Sequence, residues 1–508
     1  MSQTKREAPS SDASAQKRQK TFHKPDSNGA KAGYNKYSRT NQKNGAKENK
    51  HEVFHADTSR EAHVEQKRVK QERLNAKPNS DLILRSKKLW EKLRLKCHVQ
   101  KDERAKLVAE LFEIITGRVK DFVFKHDSVR VIQCALKYAT VPQRQQIAEE
   151  LRGSYRELAE SKYAKFLIAK MIVQDPKVRD LVVPEFYGHV KRLIRHPEAG
   201  WIMDDIYRQM ATKEQKARLL REWYGAEFVV FDKQDEKKEI TADLKTIIEE
   251  APGKKGHIMT HLKEMTNQLV QKKTHAFTML HDALLQYFLN TALGSAEYTE
   301  FLDTLRDDEE GDLTRNLAFT KSGSHIVSLA IAYGSSKDRR NILKHLKTHV
   351  KALAADPSGH LVLLTAYECV DDTVMTAKAL FGELTSKDLS AEERDQELLA
   401  QASNINARMP LLFLMAKAGE SPKWLCDTVE NEILAEVRMI RKETSKKDPE
   451  TRRVELNKAI SQPMLDHVAS QALALLATSF GCQFIGEVLL GAIGEKDAAV
   501  TAVAEVAR

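Results

Sequence analysis

A short segment recurs along this chain at an interval of about 35 residues, and this repetition constrains the fold more than any other feature. The copies are SVRVIQCAL (128–136), AKFLIAKMI (164–172), AGWIMDDIY (199–207), GSHIVSLAI (323–331) and SGHLVLLTA (358–366). In the first three copies Arg130, Phe166 and Trp201 lie 36 and 35 residues apart, and in the last two His325 and His360 lie 35 apart. A fixed period of this size predicts a solenoid, because a single unit can bury its apolar face only by stacking on its neighbours.

The residues around the repeats follow helical periodicity. From about residue 82 apolar side chains recur at helical spacing, and almost no stretch alternates with the period of two that a strand requires. Loops between copies carry helix starts, as in TVPQRQQI, where Thr140 can cap a helix and Pro142 falls in its first turn. Each unit is therefore predicted to contain a short helix, a central helix and a third helix.

These signals together predict an all-α protein, a curved α-solenoid of about nine to eleven three-helix repeats. The count includes degenerate copies in residues 255–288, 405–419 and 478–492. Basic repeats are expected over residues 81–300, and repeats with charged insertions over 301–508. The last residues, EKDAAVTAVAEVAR, end inside a third helix, so we expect the natural chain to continue beyond them.

Residues 1–80 differ in composition from the repeats. They are rich in Lys, Asn, Gln, Ser and Gly and poor in apolar residues, so a disordered basic tail is predicted there. Two basic clusters in this tail have the spacing that nuclear import receptors read; they consist of Lys5, Arg6, Lys17, Arg18 and Lys20. A chance pair of clusters in a lysine-rich tail is the alternative. The prediction is a nuclear localisation signal.

The net charge of +10 is unevenly distributed along the chain. Residues 1–80 hold 18 Lys and Arg against 9 Asp and Glu, residues 81–200 hold 25 against 16, and the remainder holds 39 against 47. Lys and Arg neutralise phosphates and release their counterions, so the basic first 200 residues favour a nucleic-acid partner over a merely soluble tail.

Other classes of function find little support in the sequence. No run of residues is long and apolar enough to cross a bilayer, and the N-terminus lacks the apolar core of a secretory signal. No catalytic motif or metal-ligand set is complete, so no enzymatic site, metal or cofactor is predicted. We expect no membrane partner and no small-molecule substrate.

The repeats resemble those of the Pumilio (PUF) family. The resemblance rests on SVRVIQ followed by TVPQRQQI, on AKFLIAKMI, and on the junctions GSHIV and SGHLV, and it covers the chain from about residue 90 to its end. The tail and the charged C-terminal units look like the nucleolar Puf-A branch, which is implicated in assembly of the large ribosomal subunit. The resemblance implies a nucleolar protein whose partners are RNA, with pre-rRNA ahead of mRNA, and large-subunit assembly factors and ribosomal proteins.

In a Pumilio protein that reads sequence, each central helix presents one stacking and two edge-binding side chains to a single base. The stacking positions here are Arg130, Phe166, Trp201, His325 and His360. The paired edge positions are Val129 and Gln133, Lys165 and Ala169, Gly200 and Asp204, Ser324 and Ser328, and Gly359 and Leu363. Few of these pairs keep hydrogen-bonding ends, so base discrimination is expected to be mostly lost. For Phe166 and Trp201, burial between repeats is an equally good interpretation.

Basic residues concentrate on the second and third copies, where they suit phosphates and structured RNA. They are Lys162, Lys165, Lys170, Lys191, Arg192 and Arg195. The leading hypothesis is a non-catalytic RNA-binding scaffold with little base readout. One alternative is a sequence-reading repressor of mRNA translation. Another is a protein-interaction solenoid whose acidic C-terminal half docks basic assembly factors.

Overall fold

The structure is a computed structural model that describes residues 59–75, 79–95, 99–173, 175–230, 240–416 and 425–508. Over these ranges the secondary structure is helical and contains no strand. The chain divides into two parts between Arg73 and Leu74. No helix in the described ranges is long and apolar enough to cross a membrane. The basic clusters of the predicted nuclear localisation signal lie outside the described residues.

Helix α1 spans Ser59–Asn75, and all but its last two residues belong to the first part. It lies within the segment predicted to be disordered up to residue 80. Its composition is polar, but Glu, Gln, Lys and Arg are good helix formers. Arg68 also pairs with Glu65 at 2.8 Å and with Glu72 at 3.8 Å, one helical turn away on either side. Local side-chain pairs therefore support a helix that the low apolar content did not predict.

The helices of the N-terminal half are α2 (Ser80–Arg94), α3 (Lys101–Ile115), α4 (Val119–Val123), α5 (Val129–Tyr138), α6 (Val141–Glu150), α7 (Tyr155–Glu160), α8 (Lys165–Ile172), α9 (Pro176–Val182), α10 (Val190–Ile194), α11 (Ala199–Asp205), α12 (Lys213–Arg221), α13 (Glu227–Val230), α14 (Leu244–Glu250), α15 (Lys255–Gln271), α16 (Thr278–Leu289) and α17 (Ala296–Arg306). Those of the C-terminal half are α18 (Asp312–Ala318), α19 (Lys321–Tyr333), α20 (Ser336–Leu346), α21 (Val350–Ala355), α22 (His360–Cys369), α23 (Thr373–Thr376), α24 (Gly382–Leu384), α25 (Ala391–Ser403), α26 (Arg408–Leu412), α27 (Thr428–Thr444), α28 (Pro449–Leu476), α29 (Ser479–Gly491) and α30 (Asp497–Ala507). Short 3₁₀ segments lie at Val183–Phe186, Pro252–Lys254 and Lys347–His349, and π segments at Ile206–Met210 and Ala377–Phe381.

Nine of the described helices stack in order, each packing against the next: α2, α5, α8, α11, α16, α19, α22, α26 and α29. Each helix after α2 is the second helix of a unit, and we number the units 1 to 9 in that order, with α2 in unit 1. The contact between α11 and α16 runs through the π segment Ile206–Met210. This stack confirms the predicted α-solenoid, and α16, α26 and α29 lie in the three segments where degenerate copies were predicted.

Units 2, 3 and 4 are each closed by a glutamate at their end that binds a glycine at their start. The glycines are Gly117 (φ +74°), Gly153 (φ +79°) and Gly188 (φ +82°), and the glutamates are Glu150, Glu185 and Glu222. In unit 3, Glu185 accepts hydrogen bonds from the backbone N–H groups of Gly153 at 2.6 Å and Tyr155 at 3.1 Å. These bonds satisfy donors at the start of the unit's first helix, and glycine tolerates the left-handed backbone that aims them.

Unit 8 carries an inserted helix between its second and third helices. Its first two helices are α25 and α26, and its third is the part of α28 before a kink at Gln471 (φ −120°, ψ 22°). The residues after the kink serve as the first helix of unit 9. Helix α27 precedes α28 in sequence but packs against α19 and α22, the second helices of units 6 and 7. It therefore covers the helices on which the C-terminal stacking residues were predicted.

Candidate nucleic-acid interface

Three predicted stacking residues form an exposed row on units 2, 3 and 4. Arg130, Phe166 and Trp201 occupy equivalent positions on α5, α8 and α11, which pack against one another in that order. Phe166 is 51% exposed and Trp201 53% exposed, and Arg130 is exposed as well. The alternative that Phe166 and Trp201 fill the core between repeats is therefore wrong.

The two aromatic members of this row each contact one neighbouring side chain and remain about half exposed. Trp201 meets the buried Phe277 edge-on, with ring centroids 5.1 Å apart. The ammonium of Lys165 lies 5.2 Å from the centroid of the Phe166 ring. Flat side chains fixed in this way can stack on unpaired bases of any sequence, because every base has a π face.

Two side chains at edge-reading positions beside this row, Gln133 and Asp204, form hydrogen bonds within the protein. Gln133 donates from Nε2 to the Tyr163 carbonyl at 3.5 Å, a long hydrogen bond on a half-buried side chain. Asp204 is buried and accepts from the backbone N–H of Met279 at 3.1 Å. Burial raises the pKa of the Asp204 carboxyl to about 6, and the Met279 bond only partly opposes this effect. Asp204 is therefore placed in the junction to unit 5 and does not face a ligand.

The predicted phosphate-binding residues differ in their exposure and in whether another side chain of the protein already binds them. Lys162 and Lys170 are exposed, and Arg195 is exposed while it donates from Nη1 to Gln268 at 2.9 Å. Lys165 pairs with Glu198 at 2.7 Å, and its side chain is only 12% exposed. Lys165 is thus mainly a link between units 3 and 4.

The other two predicted basic residues lie on α10. Arg192 pairs with Glu160 at 2.8 Å but keeps an exposed side chain. Lys191 is half-buried, and burial lowers the pKa of its ammonium. Arg192 and Arg195 therefore add exposed cations on unit 4 to the exposed Lys162 and Lys170 of unit 3.

Two further residues on this surface were missed by the sequence analysis. His126 and Tyr163, in the turns before α5 and α8, meet edge to face with ring centroids 4.3 Å apart. Both are exposed, and the ammonium of Lys162 lies 5.8 Å from the Tyr163 centroid. The signal was present in KHDSVR and SKYAKF, where an aromatic or imidazole ring follows a lysine shortly before the stacking residue.

His325 and His360, predicted as stacking residues, are covered by α27. His360 is 1% exposed, and its Nε2 lies 2.6 Å from Oε1 of Glu430. His325 pairs through Nε2 with Glu436 at 3.1 Å. The prediction that these histidines contact RNA is wrong in this arrangement, because a helix of the same chain occupies the face they line.

Helix α27 is fixed on this face by charged contacts to α22. Glu368 accepts from Nε and Nη2 of Arg438 at 3.1 and 3.0 Å, and it also pairs with Arg441. At the end of the helix Thr444 donates to the Ala332 carbonyl at 2.6 Å, which ties α27 to the end of α19 as well.

In units 8 and 9 the positions equivalent to the stacking residues are Arg408 and Gln483. Arg408 donates a hydrogen bond to Gln483 at 2.8 Å. The stacking positions of units 6 to 8 therefore contact the protein itself, whereas Gln483 of unit 9 is exposed.

The stack of second helices, with an exposed row of stacking side chains on units 2 to 4, defines a helical-repeat protein of the Pumilio type. Residues 403–508 match the model of the CPL (NUC119) domain family. The chain is 34% identical over 443 residues to Pumilio homology domain family member 6 of Schizosaccharomyces pombe, which covers 87% of this chain and 65% of that relative. It is 31% identical to human Pumilio homolog 3, over 87% of this chain and 64% of the relative.

A solved structure agrees with these relatives. The crystal structure of human Puf-A in complex with DNA superimposes with a TM-score of 0.70 at 29% identity, over 84% of this chain and 80% of that one. The chain is thus similar to proteins of the Pumilio homology domain family and to Puf-A. It spans slightly less than two thirds of the length of the two curated relatives described above.

Proposed function

We propose that this protein is a non-catalytic nucleolar RNA-binding scaffold that binds structured RNA, pre-rRNA of the large ribosomal subunit above all, with little base specificity. Its place of action would be the assembly of that subunit, alongside assembly factors and ribosomal proteins. The observation that carries the proposal is the exposed row of Arg130, Phe166 and Trp201 beside free lysines, on units whose edge-reading positions are used for internal contacts.

The chemistry of this surface favours backbone and stacking contacts over base readout. Lys162, Lys170 and Arg195 offer charges to phosphates, and each phosphate neutralised releases counterions and adds affinity without sequence information. The three stacking side chains accept any unpaired base. A loop or bulge in a folded RNA supplies both features together, since it displays splayed bases next to a dense phosphate backbone.

The relatives support a nucleic-acid partner. Human Puf-A was crystallised in complex with DNA. Such a complex fits a surface that contacts phosphates and base faces, because these groups are common to DNA and RNA. A repressor that reads mRNA sequence would need hydrogen-bonding ends at the edge positions, and here Asp204 is committed to Met279 while Ala169 and Leu363 have no such ends.

Salt-dependent binding tests the proposal. Fluorescence anisotropy between 50 and 300 mM salt would measure the affinity for three RNAs. They are a structured hairpin, an unrelated hairpin and a scrambled single strand. We expect similar affinities and a logarithmic salt slope of about −0.7 to −0.9 for each phosphate contacted. A thousandfold preference for one short motif over its scramble would show that the protein reads sequence.

Charge reversal locates the site. The double variant Lys162→Glu and Lys170→Glu is expected to weaken RNA binding at least tenfold and to flatten the salt slope. A matched control reverses Lys344 and Lys347, which are exposed at the end of α20 and beyond it in unit 6. Equal losses in both variants would mean that RNA binds by overall charge and not at units 2 to 4.

The proposed nucleolar location and the nuclear localisation signal are tested separately in cells. A fluorescent fusion of the chain is expected to concentrate in nucleoli, and alanines at Lys5, Arg6, Lys17, Arg18 and Lys20 are expected to shift it to the cytoplasm. Unchanged nucleolar signal in the alanine variant would remove these residues from import. RNA binding in vitro is expected to be the same for both proteins, apart from the charge lost in the tail.

A further inference from the structure

A cavity of about 100 Å³ lies between α22, the end of α26, α27 and α28, away from the row of stacking residues. Three of its lining residues are arginines from two helices: Arg438 and Arg441 on α27 and Arg453 on α28. A volume of this size corresponds to about three water molecules, enough for one small polyatomic anion. Nothing in the proposed RNA contacts uses this cavity.

The lining carries more positive than negative charge. Its carboxylates are Glu368 and Glu450, against three guanidiniums. Glu368 is shared by Arg438 and Arg441, whereas the hydrogen bond of Arg453 goes to the Phe413 carbonyl at 3.4 Å. Burial lowers the pKa of each of these guanidiniums, that of Arg441 to about 10, so the site holds its cations at a cost that a bound anion would offset.

Donor groups remain for such an anion. In the described part of the chain, Arg438 bonds through Nε and Nη2, Arg441 through Nη1 and Arg453 through Nη2, which leaves further N–H groups on all three. Guanidinium N–H pairs match the oxygens of a phosphate group in a bidentate manner.

A buried hydroxyl in the same lining points to a ligand independently of the arginines. Tyr367 is 2% exposed, and its Oη has no hydrogen-bond partner among the described residues. Burial raises the pKa of this phenol, so it stays protonated and is a donor. Buried hydroxyls in folded proteins nearly always have a partner, because a buried donor without one has lost its hydrogen bonds to water and gained none in return.

We propose that this cavity binds a phosphate group, held by Arg438, Arg441 and Arg453 and by the hydroxyl of Tyr367. The donors come from three helices and approach from different directions, which suits a tetrahedral anion better than a planar carboxylate. A phosphate bound here bridges α27 and α28 to α22. The ligand can be free inorganic phosphate or the terminal phosphate of an RNA, and the chemistry at the site is the same for both.

Thermal unfolding of the full chain tests this proposal. Sodium phosphate is expected to raise the Tm in a saturable manner beyond sodium chloride of equal ionic strength, by several degrees. Arg453→Gln and Tyr367→Phe are each expected to raise the half-saturating phosphate concentration at least fivefold. Tyr367→Phe removes a single oxygen from the core, so it keeps the test valid if Arg453→Gln does not fold. Lys458→Gln is the matched control and is expected to behave as the wild type. Lys458 is exposed and lies on α28, the helix that carries Arg453.

A pair of oligoribonucleotides distinguishes the two sources of phosphate. If a 5′-phosphorylated hexamer displaces inorganic phosphate and its 5′-hydroxyl counterpart does not, the ligand is an RNA terminus. If neither displaces it, the ligand is the free anion. Absence of any phosphate-specific stabilisation, or equal stabilisation of the wild type and both variants, overturns the proposal. RNA binding at units 2 to 4 is measured on the same variants and is expected to be unchanged, so the two proposals fail separately.

Discussion

The carboxylate of Asp204 on α11 accepts a hydrogen bond from the backbone N–H of Met279 in the first turn of α16, 3.1 Å away. The two residues are 75 positions apart, because the chain runs through α12 to α15 before it returns to the stack. A side chain that would read a base edge in a sequence-specific Pumilio repeat here caps the second helix of the following unit. This contact joins units 4 and 5 where the repeat spacing is interrupted.

Replacement of Asp204 is expected to change how stability depends on pH. The folded-state pKa of about 6 lies above the ordinary 3.8, so the folded protein binds more protons than the unfolded chain between these values. The wild type therefore loses stability as the pH rises from 4 to 7, by an amount on the order of 3 kcal/mol relative to Asp204→Asn. Urea unfolding at pH 4.5, 6.0 and 7.5 measures this difference. A constant difference between the two proteins would contradict the buried, high-pKa carboxyl.

The hydrogen bond itself is measured by comparing Asp204→Asn with Asp204→Ala. Asparagine keeps an acceptor for the Met279 N–H and alanine does not, so alanine is expected to be less stable by about 1–2 kcal/mol at every pH. Equal stability of the two variants would mean that the cap does not contribute.

Truncation of the stacking row is expected to weaken binding of single-stranded RNA. Phe166→Ala and Trp201→Ala each remove an exposed ring, and loss of one base–aromatic stack costs about 1–3 kcal/mol. Anisotropy with a fluorescent oligoribonucleotide measures the loss, and quenching of Trp201 fluorescence reports on the same contact in the Phe166 variant. Leu490→Ala, which removes an exposed apolar side chain on α29, is the control. Gln133→Ala is expected to leave base preference unchanged.

Loss of the Glu368 carboxylate is expected to destabilise the C-terminal units strongly. The Glu368 side chain is 10% exposed and serves Arg438 and Arg441, so Glu368→Gln leaves two partly buried guanidiniums without their counter-charge. Removal of one partner from a buried ion pair costs about 3–5 kcal/mol. Denaturant unfolding of Glu368→Gln and of Glu432→Gln, an exposed residue of α27, separates this effect from a general loss of negative charge. Similar midpoints for the two variants would show that the charged contacts do not hold α27.

The pair of His360 and Glu430 is expected to make the covering of α22 stronger at low pH. Burial alone lowers the pKa of His360, but the Glu430 carboxylate and the Asp356 carbonyl outweigh it and raise the pKa above the ordinary 6.5. This stabilisation is complete below pH 6.5 and is lost as the pH rises through the raised pKa. The Tm difference between wild type and His360→Gln is therefore expected to shrink from pH 6 to pH 9. His257→Gln, at an exposed position of α15, is expected to show no such trend.

The solenoid and the row of Arg130, Phe166 and Trp201 could be predicted because both depend on the period of the sequence, and stacking of like units keeps equivalent residues on one face. His325 and His360 share that period, but their partners come from an inserted helix about 70 to 110 residues further along the chain. No local pattern around either histidine indicates that contact. The role of Asp204 as an edge-reading residue was wrong for a similar reason. Its partner, Met279, lies 75 residues further along the chain, beyond the point where the repeat spacing is interrupted. The glutamates that bind Gly117, Gly153 and Gly188 recur at intervals of 35 and 37 residues, and the sequence held this signal in full.

The position of α27 also predicts a different order of folding for the two halves of the chain. In a simple repeat array each unit contacts only its neighbours, so folding can spread from unit to unit. Units 2 to 4 fit this scheme, since each is closed by its own glutamate. Units 6 and 7 cannot complete their packing until residues 428–444 are present. The pairing of His325 with Glu436 closes a loop of 111 residues. We therefore expect units 2 to 4 to fold one at a time during synthesis, and units 6 and 7 to complete their packing in one later, cooperative step.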